Sequence, residues 1–262
     1  MKRSPSLIIP FMLGAVIILL IAVYVAGAPG QSPVGDAQQL VLALADTDSS
    51  TTAVIAAYSR MDDGWKPEFS SPAVIGRNGM AWGSGLHKPG DHPADRAVKR
   101  EGDGCSPEGA FPLLEVYGYL PATAVRTAMP YTRSADDLIC CDDAESDLYN
   151  RIVDTGAGKL DPSNLPSHEM MRRSDDLYKY VIVVGHNMWK PEPGAGSCIF
   201  LHLWRGPDSS TAGCTAFSEE TMLRILGWLD PAKNPAFVLL TADDYRRFLE
   251  PWGLPDIAMP AD

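Results

Sequence analysis

The sequence predicts a mainly β domain with short helices, of the α+β kind. Three observations carry this. Apolar runs of strand length recur along the chain, as at Gln39–Ala45, Thr52–Tyr58 and Lys179–Gly185. Gly, Pro, Asp and Asn cluster between such runs as turn signals. Helical periodicity is confined to the region after Ser218.

In chain order, Gln39–Ala45 and Thr52–Tyr58 read as a hairpin across the turn-like Asp46–Ser50. Ala73–Ile75 is a third strand, closed by the tight turn Gly76–Gly79, and Met80–Trp82 a fourth. Gly83–Gly104 is polar and broken by Gly and Pro, so it reads as a long surface loop. Phe111–Tyr119 alternates weakly, and Pro112 places its start at a sheet edge. Pro121–Asp175 is irregular, yet too long for a bare loop, so it should carry structure or function of its own. Lys179–Gly185 has a continuous β-branched centre and reads as a central strand, with Ser197–Trp204 another. Ser218 caps a helix with Glu219 and Glu220 in its first turn, where the dipole favours negative charge. Met222, Ile225, Leu226 and Leu229 form its buried stripe, and Pro231 ends it. Ala236–Leu240 is a last strand, and Thr241-Ala-Asp-Asp244 starts a short closing helix.

The N-terminus sets the compartment. Lys2 and Arg3 precede an uncharged, mostly apolar run, Leu7–Ala26, whose 20 residues suffice to cross a bilayer as a helix. The basic end should stay in the cytoplasm, so the remainder is expected outside it. Residues 1–28 are therefore a signal-anchor, or a signal peptide cleaved at Ala26-Gly27-Ala28. The expectation is an exported protein, anchored to the inner membrane and facing the periplasm or cell wall, or secreted if cleaved. Residues 29–37 are rich in Gly, Pro, Ala and Ser and read as a linker. Residues 38–262 make the domain, long enough for a proper core. The net charge of −11, with no basic stripe, argues against nucleic acid as a partner.

An exported chain can keep disulfides. Its five cysteines, Cys105, Cys140, Cys141, Cys198 and Cys214, leave at least one thiol unpaired within the chain. If that is Cys214, the other four can form two bridges, with Cys140–Cys141 the least favourable pairing. A Cys214–Cys198 bridge would instead make Cys214 inert. Cys214 closes a Gly-, Pro- and Ser-rich loop that follows a strand ending on His202 and Trp204. A thiol with a histidine base is the raw material of a cysteine nucleophile. A helix start just after Cys214 would favour the thiolate, and the Gly213 and Cys214 amides would face a developing oxyanion. His186 closes the central strand and can reach the same end of the sheet. His168, in Ser167-His168-Glu169, fits a base, a substrate contact or a helix start. His87 and His92 read as solvated loop residues. HExxH, Cys-x-x-Cys and His-x-His spacings are absent, as is a phosphate-binding glycine loop, so no metal or cofactor is expected.

Taken together, Phe200-Leu-His202, a loop, and Thr211-Ala-Gly-Cys214 resemble the active-site signature of the L,D-transpeptidase (YkuD-like) catalytic domain. Lys99-Arg-Glu-Gly-Asp103-Gly-Cys-Ser106-Pro107-Glu-Gly109-Ala-Phe111 resembles that family's Lys…Gly-Asp…Thr-Pro-x-Gly-x-Phe segment. Cys140-Cys-Asp142-Asp143, through Tyr149-Asn150 to Ser167-His168-Glu169, looks like a divergent branch of it. The resemblance spans about residues 38–242. It implies a β-sandwich-like fold and an acyltransferase of peptidoglycan stem peptides working through a thioester, the alternatives being a peptidase or amidase on the same scaffold or an inactive peptidoglycan-binding module. By position Cys214 would be the nucleophile, His202 the base and Gly213 an oxyanion contributor; His168 and His186, from their own places in the chain, and Arg205, in place of the family's arginine, are the candidate substrate contacts. The chain departs from the pattern at Ala212, where the family usually has His, and at Ala216, where it often has Arg for a substrate carboxylate.

Overall fold

The computed structural model describes residues 32–156 and 161–257. The expected anchor or signal at 1–28 lies outside the described residues. Among the described residues, no helix is long and apolar enough to cross a membrane. Within the expected linker, Val34 and Ala37 are buried against the domain, so the docked chain begins by Ser32.

β1 (Gln39–Ala45) and β2 (Thr52–Met61) form the expected antiparallel hairpin. The chain then turns into β3 (Gly64–Val74), of which the sequence marks only the end. The earlier residues of β3 are mostly exposed and include Pro67 and Pro72, so no apolar alternation betrays them. β4 (Met80–Trp82) lies parallel to the start of β5 (Ser106–Gly118). The segment between them is not a surface loop throughout, because His87 and Lys99 are buried. His87 is a correction to the solvated reading: its Nε2 meets the Gly83 carbonyl at 2.9 Å, and its Nδ1 the Ala110 amide at 3.0 Å.

β5 begins five residues before its predicted start and determines the architecture. Its first part pairs with β13 (Ala236–Thr241) and its second with β10 (Tyr180–Val184). Beyond β10 lie β11 (Phe200–Leu203) and β12 (Thr215–Phe217), then β3, β2, β1 and β13, which returns to β5. One long strand thus joins both ends of the sheet. The result is a barrel-like closed sheet in place of the expected β-sandwich. Pro112 is correspondingly not at an edge: Ala236 of β13 lies opposite it. It is tolerated where the β10 register shifts between Ile182 and Val184, and its carbonyl still accepts from the Gly185 amide at 2.9 Å. A short β6 (Tyr131–Arg133) extends beside the end of β5.

The near-continuous apolar runs mean burial on both faces. On β1, Val41 and Ala43 face the main cluster with Ile55, Phe111 and Phe237, while Leu40 and Leu42 face the opposite one. The main cluster also takes the stripe of α1 (Glu219–Trp228), which Ser218 caps by accepting from the Thr221 amide. The second takes Tyr245, Phe248 and Trp252 of α2 (Ala242–Trp252), capped by Thr241.

β10 and β11 repeat this logic, and that makes the site. Ile182 and Leu201 point to the main cluster, while Val181, Val183 and Phe200 point outward. The outward face is covered by a small sheet from the irregular middle: β7 (Leu138–Cys141), β8 (Arg151–Asp154) and β9 (His168–Met170). A Cys140–Cys198 disulfide staples β7 to the residues entering β11, with a Cα–Cα distance of 6.1 Å. One bridge forms where two were possible. Cys105, Cys141 and Cys214 are free thiols.

Candidate active site

Sheet geometry brings Cys214 and His202 to one face. β11 and β12 run parallel, with Leu201 opposite Thr215 and His202 opposite Ala216. Alternate residues share a face. Cys214, just before β12, therefore falls on the face of Phe200, His202 and Ala216. Both side chains line one cleft of about 440 Å³. Ala212 and Ala216, the two departures from the resembled pattern, line it too, so small side chains leave room on both sides of the sulfur.

The Thr211–Cys214 turn is pinned from below. The Cys214 carbonyl accepts from Thr211 Oγ1 at 2.6 Å and from Ser106 Oγ at 2.9 Å. Ser106 Oγ in turn accepts from the Gly76 amide at 2.9 Å. The Ser-Pro-x-Gly-x-Phe segment therefore supports the candidate nucleophile directly. Gly213 sits at φ +155°, and a Cβ there would come within 3.0 Å of the Cys105 carbonyl. That close approach is the reason for a glycine. The Gly213 amide donates to Thr211 Oγ1 at 3.1 Å, so in this state it is used inside the turn.

Cys214 does not precede a helix. β12 intervenes, and α1 starts at Glu219, so the helix-terminus argument for a favoured thiolate fails. Burial and the Glu169 carboxylate instead push the thiol up to about 12. The sulfur accepts from the Phe200 amide at 3.4 Å and its proton points to the Cys198 carbonyl at 3.6 Å. Burial pushes His202 down to about 4. Its Nδ1 lies 2.8 Å from the Leu203 carbonyl. Nδ1 must therefore carry the proton of the neutral ring, which leaves Nε2 as the basic atom. At neutral pH the pair is thiol and imidazole, not thiolate and imidazolium.

Of the expected substrate contacts, Arg205 lines the cleft and reaches Asp175 at 3.2 Å. His168 and His186 do not line it. His186 is 1% exposed, with Nδ1 accepting from the Ser84 amide at 3.2 Å and Nε2 on the Ala195 carbonyl at 3.0 Å. It braces the β10 exit loop and borders a second, smaller cavity of about 220 Å³. His168 lies opposite Cys141, on the far face of the small sheet, with Nδ1 3.3 Å from the Leu165 carbonyl.

Glu169, the next residue, lies opposite Cys140 and lines the cleft instead. The sequence reading marks Glu169 only as part of the Ser167-His168-Glu169 segment and assigns the contact to His168; it missed Tyr178. The Tyr178 hydroxyl donates to Glu169 at 2.7 Å, and its ring meets the His202 ring edge-on at 5.2 Å. A three-residue strand is too short for its alternation to be read from sequence.

No family model matches this chain, and no curated protein matches it. Among solved structures it is similar to that of Bdellovibrio bacteriovorus Bd1075, at 12% identity and a TM-score of 0.37, covering 86% of this chain and 60% of that one. It is also similar to the helical cell shape determining protein Pgp2 from Campylobacter jejuni, at 11% identity and a TM-score of 0.34, covering 82% of this chain and 52% of that one. The chain thus spans less than two thirds of either protein.

Proposed function

We propose that this protein is an exported, membrane-held cysteine acyltransferase that acts on peptidoglycan stem peptides through a thioester. The observation that carries the reading is the shared face of His202 on β11 and Cys214 just before the adjacent parallel β12, both lining one cleft. The resemblance of the two signature segments supplies the substrate class.

In this reading His202 Nε2 takes the Cys214 proton as the sulfur attacks a stem-peptide carbonyl. The Leu203 carbonyl holds the ring in the tautomer that makes this possible. The tetrahedral adduct then collapses to a thioester. The leaving amine departs with the proton returned from His202. A second amine, or water, resolves the thioester, regenerating the thiol. Because the resting thiol is protonated, proton transfer accompanies attack.

The test is incubation of the purified full chain with tetrapeptide-stem muropeptides, followed by liquid chromatography and mass spectrometry. Cross-linked products support acyl transfer to an amine, and shortened stems alone support hydrolysis on the same scaffold. Wild-type turnover of neither kind, or turnover that persists in Cys214→Ala, overturns the proposal.

A further inference from the structure

Tyr178 is a buried residue that lines the cleft. Its ring packs edge-on against Phe200, at 5.7 Å between centroids, and against His202, at 5.2 Å. Phe200 is the residue whose amide donates to the Cys214 sulfur. Tyr178 and Cys214 belong to one packed cluster and line the same cleft, and the Tyr178 hydroxyl donates to Glu169 at 2.7 Å. One phenol thus shares the cleft of the candidate nucleophile, packs on its candidate base and bonds a half-buried carboxyl. Nothing in the sequence signature assigns it a role.

The hydroxyl has one proton and two claimants. With the proton on Glu169, it offers the sulfur only lone pairs, which suit a thiol and disfavour a thiolate. Turned toward the sulfur, it would be a second donor beside the Phe200 amide and would stabilise the thiolate. We propose that Tyr178 is a third residue of the reactive centre, donating to the Cys214 sulfur as it becomes a thiolate, and that Glu169 is a positioning residue that sets which way the hydroxyl proton points. This rests on the reading of Cys214 as the nucleophile.

The surroundings of Glu169 make the switch accessible. Burial, with Asp142 after β7 and Glu101 from the loop before β5, holds its carboxyl above the usual range, against the pull of Tyr178 and the Arg173 guanidinium. At the sulfur, Lys99 favours the thiolate and Glu169 opposes it. Ionised, Glu169 keeps the hydroxyl proton and adds a negative charge facing the sulfur. Protonated, it releases the hydroxyl and removes that charge. The sulfur is therefore held back by ionised Glu169 and freed by its protonation.

Two substitutions should act in opposite directions. Tyr178→Phe removes only the hydroxyl oxygen, and Glu169→Gln removes the charge while keeping the shape. The measurement is the rate of carbamidomethylation of Cys214 by iodoacetamide across pH 5–10 in the full chain. It is read on the Cys214 peptide by mass spectrometry, so that Cys105 and Cys141 do not interfere, with circular dichroism confirming the fold. A hydrogen bond to a charged group is worth about tenfold in this equilibrium. Tyr178→Phe should slow alkylation about tenfold at every pH in this range, all of which lies below the thiol's midpoint. Glu169→Gln should speed it by a similar factor, and in the double variant that gain should largely vanish. An unchanged profile in folded Tyr178→Phe, or slower alkylation in folded Glu169→Gln, overturns the assignment. The readout needs no peptidoglycan. A protein inert on muropeptides that shows these shifts sinks the proposed function and leaves Tyr178 assigned; an active protein without them does the reverse.

Discussion

Ser106→Ala tests whether the Ser-Pro-x-Gly segment holds the Cys214 turn. The hydroxyl is fully buried. It accepts from the Gly76 amide and donates to the Cys214 carbonyl, each at 2.9 Å. Removing it orphans the buried Gly76 amide, at about 1–3 kcal/mol, and takes one of two donors from the carbonyl, at about 1 kcal/mol. The total is about 2–4 kcal/mol. Thr211→Val is the control. Thr211 Oγ1 also bonds the Cys214 carbonyl and accepts from the Gly213 amide, but Thr211 is part-exposed and water can replace it. Its loss should cost about 1 kcal/mol or less. Urea unfolding of the full chain, followed by tryptophan fluorescence, measures both. A Ser106→Ala loss below about 0.5 kcal/mol, or a Thr211→Val loss larger than it, refutes the reasoning, since burial is what separates them.

The remaining predictions follow from the same geometry. The Cys140–Cys198 bridge closes a separation of 58 residues, so Cys140→Ala/Cys198→Ala should lose up to about 4 kcal/mol in the same assay. Nitrogen NMR should find His202 as the Nδ1–H tautomer and His186 as the Nε2–H tautomer, both still neutral at pH 5.5, because burial holds each at about 4. Their share of stability is complete above about 6.5 and is lost as pH falls through about 4, since the unfolded chain binds protons first. Glu108 works in the opposite sense: its carboxyl is raised to about 8, because burial outweighs Arg96 at 2.8 Å, so its contribution is lost as pH rises toward 8. Arg205→Ala should raise the KM for stem peptides several-fold with kcat little changed, and should move stability by less than about 0.5 kcal/mol, because the arginine is largely exposed. His168→Ala should leave Cys214 alkylation within about twofold of wild type, its ring being on the far face of the small sheet.

What the sequence determines by itself is local. The β1–β2 hairpin, the β-branched run of β10, the Ser218 cap and the Met222–Leu229 stripe are legible because propensity, turn chemistry and periodicity act over a few residues. Cys214 and His202 are legible as a pair because strand and loop lie close in sequence. The rest is decided by pairing over long separations. Closure of the sheet depends on β5 meeting β13 on one side and β10 on the other, which no periodicity within β5 reveals. The strand between Cys214 and α1 is three residues long, and overlooking it turned a buried thiol into an expected helix-terminal thiolate. On β9 a single step of alternation exchanges His168 for Glu169 at the cleft. Whether a thiol at a given position is acidic or silent depends on what covers it. Here the cover is a small sheet stapled by Cys140–Cys198, and only the tertiary structure brings Tyr178 and Glu169 into the cleft of Cys214.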